Sequence, residues 1–400
     1  MEYSTLAPWE EVSEAGIVYR LGSLYDHFQQ IHDPRKAKGK RYSLVTLLVL
    51  IFLAKLCGKD TPVEIADWAK NEAEELAQLL GLKRAWMPHH NTYRRVFQEI
   101  ISPTAFEQLM EDYHQQTEAD GDLLSVDGKA MRGTRIGGAT GCQYVLSVYD
   151  GDSQQVKAQE VIERKENEIV AAPKALERVP FAGKVVTGDA MHTQRALSEQ
   201  ILKGQGQYLW PVKDNQERLH DAIARLFAPD RPKAGFGQIE TDFQTARQVS
   251  YGHGRLEIRT IQTSEMLNDY ADWPGLAQVY RLERQFYWLR QGQVYKSSRE
   301  IELGITSLPR AQAAPIQVLQ FRRKHWLIET GLHYRRDVTF HEDATRMTVG
   351  HAARILSIVH NLVIGLIKRA GYSNAAAARR YFDGHLKQAF ALLLSPFPLS

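Results

Sequence analysis

Three acidic residues carry the chemistry this sequence is best placed to do. Asp127 follows the apolar run LLSV at 123–126, and Asp189 follows KVVTG at 184–188. Carboxylates at the carboxyl ends of neighbouring buried strands share the crevice where α/β sheets place their ligands. Two such groups repel, and their pKa values separate unless a cation neutralises them. Hard divalent cations with oxygen ligands do so, and Mg²⁺ suits phosphate chemistry. A third carboxylate would complete a site for two ions about 4 Å apart, which activates a water or 3′-hydroxyl nucleophile and stabilises the leaving oxygen. Glu329, in FRRKHWLIETGLHYRR at 321–336, is the candidate. Each residue also has a plainer reading. Asp127-Gly128 makes a good hairpin turn, Asp189 could cap a helix, and Glu329 could pair on the surface with Arg322, Arg323 or Arg336.

The surroundings of Glu329 add weight. Arg322, His325, Glu329 and Arg336 follow one another at steps of three, four and seven, near one helix face. Between 310 and 370, ten basic residues stand against four acidic ones, a balance of +6 where the whole chain has +3. A basic stripe beside a metal-binding carboxylate is what a phosphodiester backbone requires, and a solvated charged helix is the alternative. His325, Glu329 and His333, at i, i+4 and i+8, could instead hold zinc, although the His-Glu-x-x-His signature is absent. His192, three residues after Asp189, could touch a phosphate or simply cap or pack. Trp210, Trp273 and Trp288 could stack on an extruded base or fill a core.

The elements that must position these groups change in character along the chain. Residues 1–115 read as a helical N-terminal domain. A buried helix runs over Leu44–Leu56, interrupted by Lys55 and ended by Gly58. Thr61-Pro62-Val63-Glu64 then opens a helix with capping-box spacing, which Gly81 ends. A further helix begins at Thr92-Tyr93-Arg94-Arg95, so this region is either a helix-turn-helix that meets DNA through Arg94 and Arg95 or a plain packing domain. Strands are expected over 123–126, 144–149, 155–161 and 183–187, with a helix over Asn167–Leu176, which is the order of a mixed α/β sheet. Residues 116–204 thus form the first part of a catalytic core, and 205–312 a β-rich insertion. Residues 313–370 form the second part of the core, bearing the glutamate helix, and 371–400 a C-terminal tail.

With 400 residues, the chain has length for two or three domains. It is 44% hydrophobic and 24% charged, as expected of a soluble globular protein. Two isolated cysteines, Cys57 and Cys142, argue against a disulfide scaffold or a cysteine zinc site and fit a reducing, cytoplasmic setting. The N-terminus is polar and acidic, unlike a signal peptide, and the apolar run at 44–56 is shorter than the roughly 20 residues of a membrane span.

The stretches Tyr42-Ser43-Leu44 to Gly58, SVDGKAMRGT at 125–134, TGDAMHTQ at 187–194 and HWLIETGLHYRRDVTFHEDA at 325–344 together resemble the H-repeat-associated transposases of bacterial insertion sequences, a branch of the DDE transposases. The resemblance spans about 30–370, with the motifs in family order. It implies a ribonuclease-H-like catalytic core interrupted by a β-strand insertion. Asp127, Asp189 and Glu329 stand at the family's three carboxylate positions, holding two Mg²⁺ ions, with Mn²⁺ as a substitute. A related signature sets Tyr, Arg, Glu and Lys at the places of Arg322, His325, Glu329 and Arg336. The spacing is kept while three identities differ. The resemblance further implies cleavage and strand transfer at the ends of an insertion sequence, on double-stranded DNA and as a homodimer, away from membranes. Phosphate contacts are expected from Arg322, His325, Arg336, Lys129 and His192. The alternative is a catalytically inactive DNA-binding protein descended from such an enzyme.

Overall fold

The structure, a computed structural model, describes residues 7–38, 40–115, 121–134, 142–162, 168–228, 241–252, 254–345 and 347–396. A short hairpin, β1 (Glu10–Val12) and β2 (Val18–Arg20), precedes the helices α1 (Leu24–Gln29), α2 (Leu44–Leu56), α3 (Pro62–Asn71), α4 (Ala73–Leu79), α5 (His90–Arg95) and α6 (Pro103–Gln115). Strands β3 (Leu123–Met131), β4 (Gln143–Asp150) and β5 (Gln155–Ile162) follow, then α7 (Glu168–Glu177), β6 (Val185–Gly188), α8 (Arg195–Lys203), β7 (Gln207–Val212) and α9 (Glu217–Leu226). After β8 (Gln244–Gly252), β9 (Arg255–Ser264), β10 (Gln278–Arg290) and β11 (Gln293–Thr306) come α10 (Pro315–His325), α11 (Ala352–Arg369), α12 (Ala375–Asp383) and α13 (Leu386–Leu394). The class is mixed α/β, as the sequence predicts. The described helix α7 begins at Glu168, and Asn167, its expected start, lies outside the described residues.

The chain divides into two compact units. One comprises residues 1–120, 128–165 and 328–400, the other 121–127 and 166–327. The first unit is mainly helical and is organised around α2, of whose thirteen residues eleven are buried. Burying a Leu, Ile, Val or Phe side chain stabilises by roughly 1.5–3 kcal/mol, so α2 is a large share of this core. Lys55 is fully buried with them, its ammonium 2.9 Å from the Asp60 carbonyl, 3.4 Å from Asp60 Oδ1 and 3.1 Å from His360 Nε2. Burial holds its pKa down at about 8, partly offset by Asp60. The Thr61–Glu64 capping box forms as predicted. The helix it opens stops at Asn71, and Glu72 leaves the helical region before α4. Strands β4 and β5 pair antiparallel, with β4 also beside β3.

The second unit is built on a mixed sheet in the order β3-β6-β7-β11-β10-β9-β8. β3, β6 and β7 run parallel, and β11, β10, β9 and β8 continue antiparallel. Leu123, Val185 and Leu209 from the parallel strands pack with Ile261, Tyr280, Val318 and Leu319, so α10 is held onto the sheet by a shared apolar core. The sequence groups residues 207–210 with the β-rich insertion, whereas β7 continues the parallel sheet beside β6. No helix among the described residues is long and apolar enough to cross a membrane.

Candidate active site

Strand register brings the backbones of two of the three acidic residues side by side. Val126 pairs with Gly188 at the last rung of the parallel β3–β6 ladder, and Asp127 and Asp189 are the next residues on each strand. The parallel ladder thus ends at the residues just before both acids, while β3 itself runs on to Met131. The hairpin turn that Asp127-Gly128 could make does not form, because β3 continues to Met131. Asp189 precedes a short 3₁₀ turn, Ala190–His192, without a side-chain capping bond, which leaves its carboxylate to other partners.

Asp189 is solvent-exposed, yet its neighbours are cationic or titratable. His325 Nε2 lies 3.8 Å from Asp189 Oδ1. That imidazole, with Arg322 and His192 behind it, holds the Asp189 pKa at about 2 against the opposing effect of burial. Ionised oxygen donors of this kind suit a hard divalent cation. His325 itself is buried, which lowers its pKa below the ordinary imidazole range, so it is a neutral neighbour at pH 7.

Arg322 is 5% exposed, and its guanidinium forks onto Glu302, with Nε 2.7 Å and Nη2 3.0 Å from the two carboxylate oxygens. Its Nη1 donates to Thr187 Oγ1 at 3.1 Å, two residues before Asp189. Arg322 thus ties α10, β11 and the end of β6 together, and is committed to that clamp instead of a free phosphate-binding position. His192 is 1% exposed, and burial takes its pKa down to about 4. A Cβ at Gly188 would sit 2.9 Å from the His192 ring, so the glycine makes room for a packed histidine.

Glu329 belongs to the first unit. The helix expected to carry Glu329 gives way after α10 to π-helical turns, Ile328–His333 and Arg335–Thr339. Such turns recur at functional positions. The Glu329 side chain is 53% exposed, with its carboxylate 3.5 Å from His333 Nδ1. His333 is a buried residue that sequence reasoning reached only through the zinc alternative, and burial lowers its pKa. Arg336 is fully buried and grips Glu342 with Nε at 2.9 Å and Nη2 at 2.7 Å, while His360 Nδ1 approaches the same carboxylate at 2.8 Å. Those partners hold the Glu342 pKa well below the carboxylate range. Lys129, 5% exposed, lies 2.6 Å from Asp337, 3.6 Å from Asp343 and 3.9 Å from Glu342. Of the seven expected phosphate contacts only Arg94 and Arg95, on α5, are exposed. The other five, Lys129, His192, Arg322, His325 and Arg336, are buried because a desolvated cation or imidazole needs partners, and each has carboxylate neighbours. Sequence reasoning gave no role to Glu302, 20 residues before Arg322, or to Glu342, six after Arg336 and inside the 325–344 stretch. Trp210 is core, donating to Ser198 Oγ at 3.1 Å, and Trp273 is also buried. Trp288 stands beside Lys296, whose ammonium is 4.8 Å from the ring centre.

The chain has counterparts among known proteins. The family described as "Transposase DDE domain" matches residues 118–366, and that described as "DDE_Tnp_1-associated" matches 25–114. "Putative transposase YncI" of Escherichia coli O157:H7 is 29% identical over 355 residues, covering 87% of this chain and 88% of the relative. "H repeat-associated putative transposase YhhI" of Escherichia coli K12 is 28% identical over 369 residues, covering 90% of this chain and 94% of the relative. A solved piggyBac transposase synaptic complex with hairpin DNA aligns with a TM-score of 0.41 at 9% identity, over 92% of this chain and 77% of that one. The family match takes in both aspartates, the glutamate and more than half of the chain, and the protein therefore belongs to the DDE transposases.

Proposed function

We propose that this transposase cleaves DNA at the ends of an insertion sequence and joins the freed ends to a target, with Asp127, Asp189 and Glu329 as its metal-holding carboxylates. The observation that carries this reading is the β3–β6 register, in which Asp127 and Asp189 directly follow the last paired residues, Val126 and Gly188. Parallel β3, β6 and β7 with the antiparallel hairpin β4–β5 suit a ribonuclease-H-like core, into which β8–β11 are inserted. The three carboxylates would hold two Mg²⁺ ions, with Mn²⁺ as a substitute, and the ions would supply charge neutralisation for an in-line displacement at phosphorus. The chain's own residues bind and orient. Arg322 fixes the end of β6, beside Asp189, through Thr187, and His325 stands 3.8 Å from the Asp189 carboxylate. The substrate is double-stranded DNA, engaged by a homodimer so that two ends meet two active sites, and the setting is cytoplasmic.

A nicking assay on duplexes carrying the element's terminal inverted repeats tests this. Cleavage is expected with Mg²⁺ or Mn²⁺, none with chelator, and loss in Asp127→Ala, Asp189→Ala and Glu329→Ala while DNA binding persists. Full cleavage by any of the three variants overturns the assignment. DNA binding with no cleavage by the unaltered protein would favour an inactive descendant.

A further inference from the structure

The second unit carries a groove of about 380 Å³ whose lining includes Arg255, Arg259, Arg284, Arg323, Phe286 and Trp326. None of these residues belongs to the proposed metal site. On the groove floor Arg284 of β10 stands directly opposite Arg259 of β9. Like charges at facing positions destabilise an antiparallel pair. The acids present answer only part of this charge. Glu302 is taken by the Arg322 fork, and Glu257 approaches Arg259 at 2.6 Å. Arg255 is left 3.5 Å from Glu257, Arg284 stands 3.4 Å from Glu300 and 4.0 Å from Glu302, and Arg323 donates to the neutral Gln248 at 2.6 Å. Arg284 Nε is buried with no hydrogen-bond partner. Its guanidinium lies 5.7 Å from the centre of the half-exposed Trp326 ring, and that of Arg255 5.1 Å from Phe286. Aromatic contacts of this kind pre-set the planar fork that binds phosphate with paired hydrogen bonds. Burial lowers the Arg259 pKa, and Arg323, Arg284 and Arg255 lower it further against the pull of Glu257.

We propose that this groove is a phosphate-docking site for the backbone of duplex DNA, held by Arg255, Arg284 and Arg323 over the Arg259 floor. The inference rests on the reading that the protein acts on DNA ends, and it adds an anchor separate from the carboxylates. The test measures affinity of the full chain for a labelled end duplex across a salt series, beside nicking of the same duplex. The triple variant Arg255→Gln, Arg284→Gln, Arg323→Gln is compared with a control of equal charge loss at exposed positions, Lys203→Gln, Arg380→Gln, Lys387→Gln. Each phosphate contact contributes about 0.9 to the slope of log affinity against log salt. The groove variant is expected to flatten that slope by about 1 to 2 and to weaken low-salt binding at least roughly ten-fold, with the control changing neither to that extent. Glu300→Gln, which removes an exposed acid from the groove, is expected to tighten binding and guards against misfolding of the triple variant. An unchanged slope in the groove variant, equal loss in the control, or weaker binding by Glu300→Gln overturns the groove while the unaltered protein still binds and nicks. Failure of the unaltered protein to bind or nick overturns the underlying reading together with the groove.

Discussion

The two units hold their acidic residues in different ways. In the second, Asp127 follows the last β3 residue paired with β6, Asp189 follows the end of β6, and Arg322 reaches its partners from an ordinary α-helix. In the first, Glu329 rides on a π-helical turn, and the charges C-terminal to it are locked inside by Glu342, His360, Asp337 and Lys129. A parallel ladder fixes the backbone beside both acids with little else. An irregular helix has no such template, and an ionic network holds the chain just beyond it.

The largest expected effect concerns the carboxylates. Asp189→Ala and Glu329→Ala should each lower cleavage by on the order of 10³-fold or more while shifting the melting temperature little, since both side chains are exposed. A large loss of stability in either would mean that its residue is part of the scaffold. Next come the arginine partners. Glu342→Ala leaves Arg336 buried and uncompensated, and removing one member of a buried pair costs about 3–5 kcal/mol. Chemical denaturation should show a cost nearer the low end for Glu302→Ala, because the Glu302 side chain is 14% exposed against 5% for Glu342. Equal costs would erase the contrast between the units.

Gly331 offers a sharper probe of the π-helical turn. A Cβ there would lie 2.5 Å from Tyr149 Oη, so Gly331→Ala should destabilise by about 1–3 kcal/mol despite its better helix propensity. Adding Tyr149→Phe should recover part of that loss, and no recovery would place the strain elsewhere. Acid sensitivity probes the core of the first unit. Burial takes the His114 pKa down to about 3, below its unfolded value of about 6.5. The unfolded state therefore binds the proton first, and stability falls as pH drops from about 6.5 toward 3, by up to about 1.4 kcal/mol per pH unit. His114→Asn should flatten this limb of the stability curve. The smallest stability effect, within about 0.5 kcal/mol, is expected for the exposed Arg94→Ala and Arg95→Ala pair. Any loss of DNA affinity in that variant reports on binding alone.

Much of this was legible in the sequence because it is written locally. The apolar run at 44–56, the Thr61–Glu64 box and the strands before Asp127 and Asp189 each announce themselves within a few residues. The π-helical turns do not, since the FRRKHWLIETGLHYRR pattern reads as one smooth helix and only Gly331 hints at a break. Arg322 and Arg336 read as a basic stripe because Glu302 and Glu342 lie outside the helical period that groups them. β7 looks like the start of the insertion because its aromatic texture matches that of β10, and only its pairing with β6 separates it.

The first unit is assembled from three separated stretches of chain. α2 packs against α11, α12 and α13, and α1 against α13. During synthesis the most apolar helix of the protein therefore emerges roughly 300 residues before its last partners, an interval of about 15–60 seconds at 5–20 residues per second. The second unit, apart from strand residues 121–127, is a single continuous stretch that is complete before α11 has been made. Each nascent chain thus carries its most apolar helix through most of its own translation with only its early neighbours α1 and α3 in place.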